Sequence, residues 1–376
     1  MLGRRALIAG GGAALLAGCV RPAPLVTAPA PSRLAPLRFD PGRLMKVTVC
    51  LRPVRPAGPR IEREQFAAKT VVHNYGHGGS GWSLSWGCAD EATALARETG
   101  ASEFAVIGAG VIGMTTAIRL IETGARVTIY ADQFTSESRS ARATGVWSPS
   151  SRIALAPEVA PGFEERWERW ARASWHEHVA AIGLDGDPVE FITQYNLARE
   201  NTQRLRGTRD FLHLDHKVGD LTPDWSTTLP AERPFPEREG RSGPNMIFNV
   251  GEYFDRLTRM FLLRGGRMVR RSFPDRASAL GLPEPVIVNC MGYGAKDVWG
   301  DASLVPVRGQ VNWLLPQPEA RYALWFDEVQ AVSRRDGLIV QYLGPNEDWG
   351  FANADETPDR EETLRSLATL RALYPA

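Results

Sequence analysis

Gly108, Gly110 and Gly113, in the run "FAVIGAGVIGMTTAIRL", have the spacing G-x-G-x-x-G. That spacing suits an anionic dinucleotide. The first glycine permits a tight turn, the second lets backbone approach a pyrophosphate, and the third lets helix and strand pack closely. Ala109, Val111 and Ile112 fill out the phosphate-facing turn, and the helix N-terminus that follows favours negative charge. Asp132 lies 19 residues after Gly113, placed to accept from a ribose hydroxyl. The motif alone leaves FAD and NAD open. A second glycine stretch comes earlier: "HNYGHGGSGWSLSWGCA", His73 to Ala89, has four glycines between Gly76 and Gly81. Its tyrosine, histidines and apolar flanks argue against a slack linker. The spacing of His213 and His216 could suit a metal, but no cluster of further ligands supports one, and no metal is expected.

Regular elements must hold these loops. Phe104–Ile107 and Arg126–Tyr130 read as strands flanking a helix over Met114–Thr123, with Gly124 at a helix C-cap position. Ser83–Arg97 reads as a helix, "KVTVCL" as a strand, and "REETLRSLATLRALYPA" as helix-like. "FEERWERWARASWHEHVAAIG" reads as an amphipathic helix whose Trp167, Trp170 and Trp175 serve packing. The fold class expected is α/β with a Rossmann-type domain.

The chain has 376 residues, enough for two domains. Its 44 basic and 43 acidic residues leave a net charge of +1, which argues against a general electrostatic grip on nucleic acid. No stretch is apolar for the ~20 residues of a membrane span. The first residues read as an export signal: Arg4 and Arg5 precede the apolar run Ala6–Ala17, which ends in "LAGC". The arginine pair resembles a twin-arginine signal. "LAGC" resembles a bacterial lipobox, in which Cys19 would be lipidated; an ordinary cleaved signal or a chance apolar start is the alternative. A proline-rich tether, 20–46, follows. Cys50, Cys88 and Cys290 remain, an odd count that gives no disulfide framework.

The two glycine signatures together resemble the D-amino-acid oxidase family of FAD enzymes. "FAVIGAGVIGMTTAIRLIETGARVTIYADQFT" resembles that family's N-terminus, and "ATGVWSPS" its flavin-side segment. "FNVGEYFDRLTRMFLLRGGRMV" resembles its middle helix, and "IVNCMGYGAKDVWGDASLVPVRGQ" its second nucleotide-facing strand. "LRPVRPAGPRIERE" and "HNYGHGGSGWSLSWGCA" resemble its C-terminal signature. In the family that signature comes last; here it comes first. The pieces align when 101–376 are read before 47–100, so the chain resembles a circular permutant. A truncated chain with a duplicated fragment at its front is the alternative.

The resemblance implies FAD as cofactor and gives residues roles. Gly78, Gly79, Ser80, Gly81 and Trp82 would present N–H groups to the flavin, with the Ser83 hydroxyl at its carbonyl. Ala143, Thr144, Gly145 and Val146 would lie against the ring, and Ser138 and Ser140 would contact phosphate. Arg52 would grip the substrate carboxylate, and the Gly79 carbonyl would accept from the substrate amine. Arg55 would form a structural ion pair with a glutamate such as Glu62. Three family tyrosines are replaced here: Gln330, a weaker donor, stands at one position, and Phe326 and Ser150 at the others. The resemblance also implies that the Rossmann-type FAD domain, 64–150 and 245–315, is interleaved with a mixed-sheet substrate domain, 47–63, 151–244 and 316–376. The activity implied is oxidation of a D-amino acid or related small amine, with oxygen as electron acceptor. A flavin dehydrogenase feeding a membrane acceptor and a lipid-tethered flavin-binding protein without turnover are the alternatives.

Overall fold

A computed structural model describes residues 34–197, 207–227, 229, 233, 235 and 239–374. The expected leader, with Arg4, Arg5 and Cys19, and the tether up to residue 33 lie outside the described residues. The first elements are β1 (Leu44–Val54), β2 (Arg60–Phe66), β3 (Lys69–Tyr75), α1 (Gly81–Arg97), β4 (Glu103–Ala109), α2 (Val111–Glu122) and β5 (Arg126–Phe134). The middle holds α3 (Phe163–Val179), β6 (Val189–Leu197), β7 (Gly240–Phe248), α4 (Val250–Leu263), β8 (Arg267–Arg270), α5 (Arg276–Leu280), β9 (Val286–Asn289) and α6 (Ala295–Trp299). The last are β10 (Val305–Leu314), β11 (Tyr322–Phe326), β12 (Val329–Arg334), β13 (Gly337–Tyr342) and α7 (Arg360–Arg371).

Six strands form one sheet in the order β2-β3-β9-β4-β5-β8. From β3 to β8 every pair is parallel, and β2 is an antiparallel edge. Parallel strands need cover on both faces, which is why β4 and β9 read as unbroken apolar runs. Leu84, Met114 and Ile118 of α1 and α2 cluster with Val72, Val106 and Ile129 in one core, while Val71, Ile107, Ile287 and Trp299 form a separate one. The helix α3 stacks on α1 at Gly87, where a Cβ would sit 2.3 Å from the Trp170 carbonyl oxygen. Trp167 and Trp170 are buried, and their indole N–H groups donate to the Pro149 carbonyl (2.8 Å) and to Glu91 (2.6 Å).

Seven strands form the other sheet, β1-β10-β13-β12-β11-β6-β7, antiparallel except between β11 and β6. The permuted order implies that Val47–Leu51 lie in a sheet whose neighbours include the strand near Leu338–Tyr342; both are in this sheet, with β10 between them. Residues 44–100 therefore supply β1 to one sheet and β2, β3 and α1 to the other, and do not form a unit of their own. Sheet membership departs from the expected boundaries in three places: β2 lies wholly in the parallel sheet, and β10 and all of β7 in the mixed one. The reason is pairing, since β10 is bonded on both sides, by β1 and β13.

The two ends of the described chain meet. Tyr322 Oη receives the Leu37 N–H at 3.2 Å and lies 3.0 Å from Tyr374 Oη. The rings of Phe39 and Tyr374 are 6.0 Å apart.

Candidate active site

At the end of β4 the backbone turns through Gly108 at φ +108°. A Cβ there would lie 2.5 Å from the Cys290 carbonyl oxygen, and one at Gly113 would lie 1.9 Å from the Gly108 carbonyl oxygen. Only glycine allows either approach. Gly110 caps α2, which has no side-chain cap and no acidic residue in its first turn. Met114 N–H is the first to reach a helix carbonyl, that of Gly110 at 3.0 Å. Val111 N–H donates to Ser140 Oγ at 3.2 Å. The first-turn donors at Ile112 and Gly113 are thus left for an anion. Asp132 stands exposed near the end of β5, on the wall of the same cavity.

The second glycine loop joins β3 to α1, with Gly76 at φ +88° and Gly78 at φ +55°. Here the structure corrects the expected donor set. Gly78 N–H donates to Pro53, Gly79 N–H to Ser151 and Ser80 N–H to His77, each at 2.9 Å. The first two hold the loop to its neighbours, and the third closes a turn within it. The donors that remain belong to the first turn of α1: Gly81, Trp82 and Ser83. Gly78, Gly79, Gly81 and Trp82 line the cavity, whereas Ser80 and Ser83 do not. Ser83 Oγ accepts from Ser148 N–H at 2.8 Å. The buried Trp82 indole donates to the Ser140 carbonyl at 2.9 Å, tying this loop to the phosphate side.

A third wall is the segment Ala143–Val146. Gly145 has φ +80°, and a Cβ there would meet the Phe248 carbonyl oxygen at 2.6 Å. The buried Arg334 guanidinium holds it by donating to the carbonyls of Ala143 (2.8 Å) and Thr144 (3.2 Å). Together the walls enclose about 650 Å³, with Ser138 and Ser140 beside α2 and residues 271–274 and 291–294 also on the lining.

Arg52 projects from β1 into this cavity. Its guanidinium lies over Gly309: a Cβ there would be 2.3 Å from Nη1 and 2.5 Å from Nη2. Nη1 donates weakly to the Arg308 carbonyl at 3.4 Å, and no carboxylate pairs with Arg52 among the described residues. Burial lowers its pKa, partly offset by Cys50, so the site favours an anionic partner. Arg55 instead pairs with Asp301, 3.2 Å away, because Glu62 is taken by Arg60.

Gln330 is buried on β12 but does not line the cavity. It pairs with Gln341 of β13, one strand nearer, and Gln341 is the amide on the wall. The expectation for Gln330 is therefore off by one strand. Phe326 joins an apolar cluster with α7 residues Leu367 and Leu370, and the Ser150 hydroxyl donates to Asp215. His213 faces Glu347 at 3.1 Å, and among the described residues no group of three ligands could hold a metal.

Sequence reasoning also missed His77 and Arg152. Both are buried on the cavity wall, and Arg152 Nε–H donates to the Glu347 carbonyl at 2.9 Å. Burial pushes the His77 pKa down to about 3, so the ring is neutral, and its Nε2 has no partner among the described residues. Asn74 Oδ1, also on the wall, lacks a partner too. For Gln341 a signal existed: a lone polar residue in the otherwise apolar strand "GLIVQY".

Residues 103–376 match the family model described as FAD dependent oxidoreductase. The D-amino-acid oxidase of Streptomyces coelicolor is 28% identical over 229 residues, 57% of this chain and 62% of that protein. The chain thus spans somewhat under two thirds of that relative. The D-aspartate oxidase of Homo sapiens is 24% identical over 298 residues, 73% of this chain and 76% of that one. Among solved structures, glycine oxidase from Geobacillus kaustophilus superposes with a TM-score of 0.50 at 15% identity, covering 72% of this chain and 78% of that one. The cavity fits FAD on its own evidence. It has two helix N-termini with open donors, three glycine approaches closed to any Cβ, and two orphaned buried polar atoms, His77 Nε2 and Asn74 Oδ1.

Proposed function

The chain belongs to the FAD-dependent oxidoreductases, and from that premise we propose that it oxidises a D-amino acid or a related small amine bearing a carboxylate. One observation carries the substrate class: Arg52, a half-buried guanidinium on the cavity wall without a carboxylate partner among the described residues. A guanidinium takes a carboxylate through two parallel hydrogen bonds. The substrate would be anchored there, with its amine held by the Gly79 carbonyl. When bound, FAD supplies a two-electron acceptor for hydride from the substrate α-carbon. The protein's part is orientation and exclusion of water, and no side-chain base is required. The open donors of α1 would stabilise negative charge on the reduced ring. The products are an imino acid and, with oxygen as acceptor, hydrogen peroxide.

Stoichiometric peroxide release with a D-amino acid tests this reading. Substrate-dependent flavin reduction without peroxide would replace it with a dehydrogenase. A flavin unreduced by any amine would leave a binding protein.

Two further proposals concern the chain itself. The first is that it is a natural circular permutant of the family. Support comes from the place of 44–100 in both sheets, from the contact of Phe39 with Tyr374, and from a family match that begins only at residue 103. The second is that "LAGC" after Arg4–Arg5 directs export and lipidation of Cys19, anchoring the enzyme at a membrane. Cys19→Ala should then leave the membrane fraction; a variant that stays with the membrane contradicts the anchor.

A further inference from the structure

We propose that Gln341 is the second donor to the substrate carboxylate, beside Arg52, and that Thr144 sets its orientation. This rests on the reading of Arg52 given above. Gln341 is 2% exposed yet lies on the cavity wall. Its Oε1 accepts the hydroxyl proton of Thr144, whose segment forms the adjoining wall. The carboxamide plane is thereby fixed, and its NH₂ meets no partner among the described residues. A buried amide held on one side only, facing a cavity, is a donor in want of an acceptor.

Register places that donor near Arg52. Val311 of β10 is paired with Gln341, and Gly309, two residues earlier, carries the Arg52 guanidinium over it. Gly309 and Gln341 are diagonal neighbours, about 7–8 Å apart at Cα. Both side chains lie on the cavity side of the sheet, where they would share one carboxylate. Val311 and Leu343, also on the wall, are apolar and offer it no competing donor. Thr144 is the positioning residue: its own carbonyl is held by Arg334, which keeps its backbone beside Gln341.

The test titrates FAD-loaded protein with propionate and with propionamide and follows the flavin absorption spectrum, with FAD affinity measured for each variant. The parent should bind propionate and bind propionamide far more weakly. Gln341→Leu should weaken propionate roughly 10- to 100-fold, as loss of a hydrogen bond to a charged group does. FAD affinity should not change. Thr144→Val should produce part of that loss, and Thr144→Ser should restore it. The steric role of a β-branched residue would give the opposite order, with valine tolerated and serine not. Unchanged propionate affinity in Gln341→Leu, with loss in Arg52→Leu, would overturn the role of Gln341 and keep that of Arg52. Absence of propionate binding to the parent would overturn the carboxylate pocket altogether, and this proposal with it.

Discussion

The Arg52 guanidinium rests on the bare Cα of Gly309, closer than any β-carbon would permit. Strand β1 delivers the arginine, strand β10 the vacancy, and their antiparallel register brings Cys50 opposite Gly309 and Arg52 opposite Val307. The side chain therefore folds back along the sheet, over the cavity floor, half-buried. Every wall of the substrate end can be placed relative to this pair.

Arg52→Leu should keep FAD and lose the substrate. A hydrogen bond to a charged group contributes ~1.5–3 kcal/mol, so loss of a two-bond grip should lower kcat/KM on the order of 100-fold or more. Arg52→Lys should recover only part, because an ammonium lacks the planar fork. Gly309→Ala should act in the same direction, by displacing the guanidinium while the fold persists. Steady-state kinetics with FAD affinity as control would check all three. Full activity in Arg52→Leu would move substrate binding elsewhere.

Asp132→Ala should weaken FAD by about 10-fold, the effect of one lost hydrogen bond from a carboxylate. The Asp132 side chain is exposed and packs against nothing essential, so the melting temperature of the apoprotein should stay put. Fluorescence titration of apoprotein with FAD reads the first effect and calorimetry the second. Equal affinity in variant and parent would remove Asp132 from the ribose.

Stability should fall as pH drops below neutrality. His77 and His178 are buried, and burial lowers each pKa to about 3 from an ordinary 6.5. Both rings are neutral in the folded state and protonate in the unfolded one below pH 6.5. Over that window the unfolded state binds more protons, so stability declines from pH 6.5 towards pH 3. His178 also completes a chain in which Trp86 Nε1–H donates to Tyr253 Oη, while His178 lies 3.0 Å from Tyr253 Oη and 3.1 Å from the Trp82 carbonyl oxygen. Urea midpoints at pH 7 and pH 4.5 should differ less in His178→Asn than in the parent. An equal difference would exclude the histidine as a source of the acid sensitivity.

Rewiring tests the permutation. A chain beginning near residue 101, running to 374, then joined by a short linker to residues 39–100, should fold and bind FAD. The junction asks little of the linker because Phe39 and Tyr374 already touch. Native-like circular dichroism and FAD stoichiometry are the expected result. Aggregation with several linker lengths would contradict the claim that the present chain order is interchangeable with the family's.

Much of the cofactor half was legible in the sequence because its signals are local. Gly108, Gly110 and Gly113 answer steric limits set within a few residues, and the strands around them are continuous apolar runs. The substrate half depends on register between strands far apart in sequence. Gln330 and Gln341 are both amides on adjacent strands, and only the pairing of β12 with β13 tells which one meets the cavity. The N–H groups of Gly78, Gly79 and Ser80 illustrate the same limit. The partners of Gly78 and Gly79, Pro53 and Ser151, come from segments whose proximity no local pattern announces, while Ser80 closes a turn within the loop on His77. His77 was hidden for another reason: an orphaned nitrogen is a property of surroundings, not of spacing.

The central claim is that this cavity turns a bound carboxylate-bearing amine into a hydride donor. Anaerobic titration of the FAD-loaded protein with a panel of D-amino acids, glycine and secondary amino acids tests it most directly. Loss of the oxidised flavin's visible absorbance with at least one of them, and retention of it with the same compound in Arg52→Leu, is the predicted result. A flavin that stays oxidised with every member of the panel would contradict it.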